Sequence, residues 1–271
     1  MTLFQFDHFI HYVESPEKTK EALQALGLHT VDGGRHEHHG TYNTLSYYGL
    51  SYIELIGTFD KSLVEDQAEF DHSLRATIVA SDYKEGGARI ALRSKDLQKD
   101  AERFKKLGLE VVGPTPLSRT RPDGSVVSWK LLFVGEKGVY PELPFFIEWE
   151  ESDEERLNDL KERGTIAEHP IGDVTLQSVG IATKNISTVA EKWSKYLQLE
   201  IGESYVDESL NAKAQTLHLE GGNIVFYEPI GEGKVQEIIE SHGEKPFLIE
   251  FKNKKENKDV EVFGAIYRFT K

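Results

Sequence analysis

The stretch Leu23-Gln24-Ala25-Leu26-Gly27-Leu28 returns, position by position, as Phe104-Lys105-Lys106-Leu107-Gly108-Leu109. In each copy an apolar helix face runs into a glycine, the residue that most readily takes the left-handed conformation just past a helix end. Upstream of the first copy, Phe4–Val13 alternates like a strand, with Phe4, Phe6, His8, Ile10 and Tyr12 on one face. Ser15-Pro16 then opens the helix, Ser as N-cap and Pro in the first turn. Downstream lies a Gly- and His-rich loop over 33–40, with room for a short strand at Leu28–Val31. Strands follow at Thr41–Tyr48 and Ser51–Ile56.

The second copy repeats the order. Arg89–Arg93 reads as a strand, Leu97–Leu107 as a helix and Glu110–Val112 as a short strand. A loop through Arg119-Thr120-Arg121-Pro122-Asp123-Gly124 leads to strands Val126–Val134 and Pro144–Trp149. Aligning Gly27 with Gly108 sets Arg89 at the place of His8, and Tyr52-Ile53-Glu54-Leu55 resembles Phe146-Ile147-Glu148-Trp149. A weaker third copy (Leu176–Thr183, Val189–Leu197, Ala214–Leu219, Asn223–Tyr227) places Val179 at the His8 position. Phe247–Phe251 and Val260–Phe269 read as a cut-down fourth. Ser152-Asp153-Glu154-Glu155 fits a capping box, so a linker helix is expected from Asp153 to Arg163, stopped by Gly164. Asp60–Ser81 also reads as helical.

A βαβββ unit cannot bury its sheet alone, whereas two side by side can curve their strands around a shared cavity. The expected fold is therefore α+β: tandem βαβββ modules paired into curved, cup-like mixed sheets with helices outside. The expected organisation is a two-module unit at 1–150, a linker helix at 151–165, and a degenerate third module plus a truncated fourth at 166–271.

Composition narrows the function. The 271 residues carry a formal net charge of −14 and no Cys. Disulfides, thiolate nucleophiles and cysteine metal sites are excluded, and the acidic balance disfavours nucleic acid as a partner. No apolar run approaches the roughly 20 residues that span a bilayer. The first residues show no basic stretch followed by an apolar one, so no signal peptide is expected and a cytoplasmic location is the default. No phosphate loop, dinucleotide fingerprint or nucleophile elbow occurs.

The residues left to carry chemistry are few. Glu54 and Glu148 sit mid-strand between large apolar neighbours, and a carboxylate facing a cavity must pair with a cation or a metal, or be protonated. His8 shares a face with apolar residues, and first-strand His with last-strand Glu makes a workable ligand pair. His36-Glu37-His38-His39 lacks the spacing of the zinc-protease helix. Three of the chain's ten arginines, Arg35, Arg119 and Arg121, fall in the two equivalent loops and would clamp an anion if those loops converge. Tyr47, Tyr52 and Trp129 would supply flat walls.

These paired modules resemble the vicinal oxygen chelate superfamily, in its glyoxalase-like branch. The resemblance is carried by Asp7-His8, by Gly33-Gly34-Arg35-His36 with Gly40-Thr41 and Asn43 running to Ile56, and by Ser118–Gly124 with Trp129 running to Trp149. It is specific over 4–150 and loose over 174–271. It implies a cupped sheet around a small-molecule site, with one divalent transition metal (Zn, Ni, Mn or Fe) or none. His8, Glu54 and Glu148 match the superfamily's ligand slots. The fourth slot falls on Arg89, which would ion-pair with Glu54 or Glu148 and abolish the metal site. Glu54, Glu148 and His36 are the implied catalytic candidates. Arg35, Asn43, Tyr52, Arg89, Arg119, Arg121 and Trp129 are the ligand-binding ones.

Two functions remain open on this reading. One is a lyase, isomerase or dioxygenase type of enzyme acting on a small anionic organic molecule. The other is a metal-free binding or sequestration protein. The sequence leaves a homodimer open.

Overall fold

A computed structural model describes residues 3–66, 68, 72–121, 123–255 and 257–271. The first module comprises β1 (Gln5–Tyr12), α1 (Pro16–Ala25), β2 (Val31–His36), β3 (Thr41–Tyr48) and β4 (Ser51–Thr58). Two short helices, α2 (Lys61–Asp66) and α3 (Leu74–Ala80), lead to the second, and residues 67 and 69–71 of the stretch expected to be helical lie outside the described residues. The second module is β5 (Gly86–Arg93), α4 (Leu97–Lys106), β6 (Glu110–Thr120), β7 (Val126–Gly135) and β8 (Phe145–Trp149). β1 runs parallel to β4 and antiparallel to β5, so the modules join through their first strands into one eight-stranded sheet, β2-β3-β4-β1-β5-β8-β7-β6.

The helix α5 (Asp153–Glu162), started by a capping box at Ser152 and Glu155, connects to a second sheet. That sheet is built from β9 (Val174–Ala182), α6 (Ile186–Leu197), β10 (Ile201–Asp207), β11 (Ala212–Leu217) and β12 (Asn223–Pro229). After α7 (Lys234–His242) come β13 (Pro246–Asn253), β14 (Lys258–Val262) and β15 (Ala265–Thr270). Its order, β10-β11-β12-β9-β13-β15-β14, repeats the first with one edge strand fewer. The architecture is the α+β pair of curled mixed sheets that the repeats imply.

Several local expectations change. The segment expected as a loop over 33–40 is strand through His36, because Gly33 and Gly34 let the chain lie directly against Asn43 and Arg119, where a Cβ would overlap both side chains. β6 runs on to Thr120, kinked by a bulge between Val112 and Thr115, so Arg119 sits on a strand. Pro122 lies outside the described residues. Val260–Phe269 is two strands, turned at Phe263 and Gly264, both at positive φ.

The first strand does not present Phe4, Phe6, His8, Ile10 and Tyr12 on one face. In its pairing with β5, Phe6 faces Leu92 and His8 faces Ala91, which leaves Asp7 as an extra, bulged residue. Phe4, Phe6 and Phe9 join the core shared with the second sheet, whereas Ile10 and Tyr12 belong to the cluster on the opposite face. That shared core also holds Val179, Ile249 and Phe251 of the second sheet, so the backs of the two sheets pack on one another. Full burial of each such side chain contributes about 1.5–3 kcal/mol. His11 sits at this joint, with Nδ1 against the Tyr267 hydroxyl at 2.9 Å and Nε2 against the Phe263 carbonyl at 2.9 Å. Burial pushes its pKa down to about 4, against the hydrogen bond to Phe263.

Candidate functional site

The concave face of the first sheet encloses a cavity of about 1120 Å³. At its floor, Glu54 is 8% exposed. Asn43 Nδ2 donates to Glu54 Oε1 at 2.6 Å, and Asn43 Oδ1 accepts the Gly34 N–H at 2.8 Å. The backbone thus fixes which way the Asn43 amide points, and the amide holds the carboxylate. Asn43 lies so close to Gly33, and Arg119 to Gly34, that a Cβ at either position would overlap the side chain, so this edge of the site is glycine.

Glu54 Oε2 lies 3.6 Å from His8 Nε2, and His8 Nδ1 donates to Asp7 Oδ1 at 2.7 Å. Asp7 is wholly buried and also accepts from Trp149 Nε1 at 3.0 Å and Arg93 Nη1 at 3.2 Å. Burial opposes its ionisation, but the hydrogen bond from His8 and the charges of Arg156, His8 and Arg93 together hold it well below the usual carboxylate range. An ionised Asp7 fixes a proton on His8 Nδ1 and turns Nε2 towards Glu54. Imidazole nitrogen and carboxylate oxygen thus face each other across a gap that one proton can bridge. Tyr52 stacks on His8 with ring centroids 4.5 Å apart, and Phe145 closes the other side at 5.5 Å.

The remaining candidates divide. Trp129 lines the cavity and packs on Trp149. His36 lines the rim, with Nδ1 3.0 Å from the Thr41 hydroxyl. Burial lowers its pKa, Glu54 opposes the shift, and Arg119 and Arg75 add to it. Arg119 lines the cavity and makes no ion pair among the described residues. Arg121 reaches the same space but is tied to Asp159 of α5 at 3.0 Å. Arg35 stands at the mouth, stacked on Phe59 at 3.8 Å and paired with Glu37. The three arginines of the expected clamp thus reach one cavity, but Arg119 alone among them offers an unpaired cation.

Three expectations fail. Glu148 faces the outer surface, where it accepts the Leu97 N–H at the start of α4 (2.7 Å) and pairs with Lys130 (2.6 Å). Strand register gives the reason. Ile10 pairs with Glu54, while its counterpart Ala91 pairs with Phe145, so Phe145 holds the Glu54 position and Glu148 lies three residues beyond it, on the opposite face. Glu228 does in the third module what Glu148 does in the second, accepting the Ile186 N–H at 2.7 Å. The first module opens its helix with Pro16, which has no N–H to cap. Arg89 does hold the place equivalent to His8, but its side chain turns away from Glu54 and Glu148. It donates to the His72 carbonyl at 2.9 Å and pairs with Glu142 at 3.2 Å. In the third module Ser178, not Val179, matches His8, since Val179 faces the shared core.

The implied metal can be judged on this geometry. His8 and Glu54 face one another, Phe145 fills the third place and Arg89 leaves the fourth. Among the described residues no group of three His, Asp or Glu is arranged to hold a metal ion. A pair of donors falls short of the three protein ligands of a catalytic zinc site, so these residues do not fit the implied metal.

Sequence reasoning gave no role to three residues. Asp7 orients His8, and its bulge leaves no trace in the residue pattern. Arg156 projects from α5 into the cavity with its guanidinium 4.0 Å from the Trp149 ring centre. Arg75 enters from α3. Both arginines belong to segments read as connectors, and only helix docking brings them in.

A cupped sheet of paired βαβββ modules around a small-molecule cavity defines the vicinal oxygen chelate fold. The glyoxalase-like domain model matches residues 6–197, and the chain belongs to that family. Among solved structures, a hypothetical protein from Staphylococcus aureus is 24% identical, covering 98% of this chain and 99% of its own, with a TM-score of 0.81. A mutant 4-hydroxymandelate synthase from Streptomyces coelicolor is 14% identical over 93% of this chain and 72% of its own, with a TM-score of 0.61. Methylmalonyl-CoA epimerase from Streptomyces coelicolor, 18% identical, matches 55% of this chain and all of its own at a TM-score of 0.42. No curated protein matches the chain in sequence. Among the described residues no helix is long and apolar enough to cross a membrane.

Proposed function

We propose that the first cup is the active site of an isomerase- or lyase-type enzyme that moves a proton on a small organic anion. The observation that carries this reading is the buried chain Asp7–His8–Glu54–Asn43, which holds an imidazole and a carboxylate face to face against one cavity. Glu54 Oε2 takes the proton from a substrate carbon next to a carbonyl or carboxylate and passes it to the facing His8 Nε2, and the imidazolium so formed delivers it at the neighbouring position, regaining its neutral form. Arg119 draws the anion in, and Tyr52, Trp129 and Trp149 pack its flat or apolar body.

The test has two stages. Native mass spectrometry against a panel of small carboxylic and keto acids identifies ligands, which are then incubated with the protein in D2O and followed by proton NMR. Wild type should exchange a carbon-bound proton of a ligand for deuterium, and Glu54→Gln should not. Tight binding without exchange or turnover would favour the alternative, a binding or sequestration protein. The aromatic lining around Arg156 supports that second reading, because it gives affinity without chemistry.

A further inference from the structure

Two helices that line the cavity pack near opposite ends of β4. At one end α5 packs Leu160 against Leu45, Tyr47 and Tyr52. At the other α3 packs Ile78 against Ile10, Tyr12 and Ile56. On β4, Tyr52 and Ile56 lie four residues apart, about 13 Å at the rise of a strand, with Glu54 midway.

Each of these helices sends one arginine inward. Arg156, 3% exposed, lies among the rings of Trp149, Tyr52 and Tyr47, donates from Nη2 to the Tyr47 hydroxyl at 3.5 Å and pairs with Asp7 at 3.9 Å, while its Nη1 makes no hydrogen bond. Asp7 is already engaged by His8, Trp149 and Arg93. Arg75 is partly buried, its Nε also lacks an acceptor, and among the described residues no carboxylate pairs with it. Desolvation lowers its pKa. A guanidinium N–H withdrawn from water without an acceptor is costly, in Arg156 despite the pairing with Asp7, and carboxylate or phosphate oxygens fit the planar fork.

We infer that Arg75 and Arg156 form two anion-binding subsites at opposite ends of the cavity, so that the cup takes a ligand with an acidic group at each end of a flat apolar body. The inference rests on the ligand-site reading of this cup given above, and it names the substrate class. In such a ligand the middle of the molecule lies over Glu54 and His8, and the two acidic ends set its position.

Calorimetric titration with biphenyl-4,4′-dicarboxylate and biphenyl-4-carboxylate tests this. The diacid should bind wild type at least about tenfold more tightly than the monoacid. R75Q should bring that ratio to about one while still binding the monoacid, and R156Q should do the same. Should R156Q fail to fold by circular dichroism, R75Q, on a partly exposed helix, decides alone. Equal affinity for the two acids in wild type, or an unchanged ratio in R75Q, overturns the two-ended site and leaves the proton-transfer reading standing. Failure of both acids to bind wild type counts against both readings.

Discussion

The two sheets are built to one plan and do opposite things with their concave faces. The first leaves its cup hollow around Glu54 and His8. The second fills its cup with α7, whose Val235, Ile238 and Ile239 pack onto Ala182, Val225, Tyr227, Phe247 and Leu248. At the strand position of Glu54 the second sheet has Val225, paired with Gly180 as Glu54 is with Ile10. Where the first has His8, the second has Ser178, which donates to Glu250 at 2.8 Å. A cup can thus hold polar groups for a ligand or apolar groups for a plug, and the plugged one contributes stability through the back that both share.

Exchanging side chains between the cups should break this contrast. Val225→Glu would bury a carboxylate without a partner under α7. It should cost at least about 4 kcal/mol, read as a fall in the urea midpoint. The reciprocal change, Glu54→Val, should lower proton exchange by about 10²–10⁴-fold. Its stability cost should stay within about 1–3 kcal/mol, the loss from leaving Asn43 unpaired. A larger stability loss with exchange intact would return Glu54 to a structural role.

The joint between the cups should respond to acid. His11 titrates near 4 when folded and near 6.5 when unfolded, so the unfolded chain binds a proton first as pH falls. The stability it contributes is complete above pH 6.5 and declines by about 3 kcal/mol as pH drops to 4. His11→Gln should flatten that part of the stability profile. The smallest effect is expected outside the cup. Glu148→Gln should weaken the start of α4 by about 1 kcal/mol and leave ligand affinity unchanged. Altered affinity would mean that the outer glutamate communicates with the cavity.

Much of the fold is legible in the sequence because its punctuation is local. Ser15, Asp96 and Asn185 each cap the helix after a first strand, and each side chain accepts an N–H three residues on. The pairing of Asn43 with Glu54 follows from neighbouring strands of one module. The site is less legible where it depends on register. Ile53-Glu54-Leu55 and Ile147-Glu148-Trp149 look alike as strings, but a shift of three residues between modules sends the two carboxylates to opposite faces. Arg75 and Arg156 stayed hidden for a different reason. Nothing in a short amphipathic helix states which cavity its arginine will enter.

The extra residue at Asp7 acts as a change of phase. Before it, the even-numbered Phe4 and Phe6 belong to the core between the sheets; after it, the even-numbered His8, Ile10 and Tyr12 belong to the cup. One strand thus serves an oily neighbour with one part of its length and a polar chamber with the next, without a break in the chain. Loss of that single residue would put the two halves back in step, turning either the phenylalanines or the histidine to the wrong side. A one-residue deletion there should therefore do more harm than any single substitution along β1.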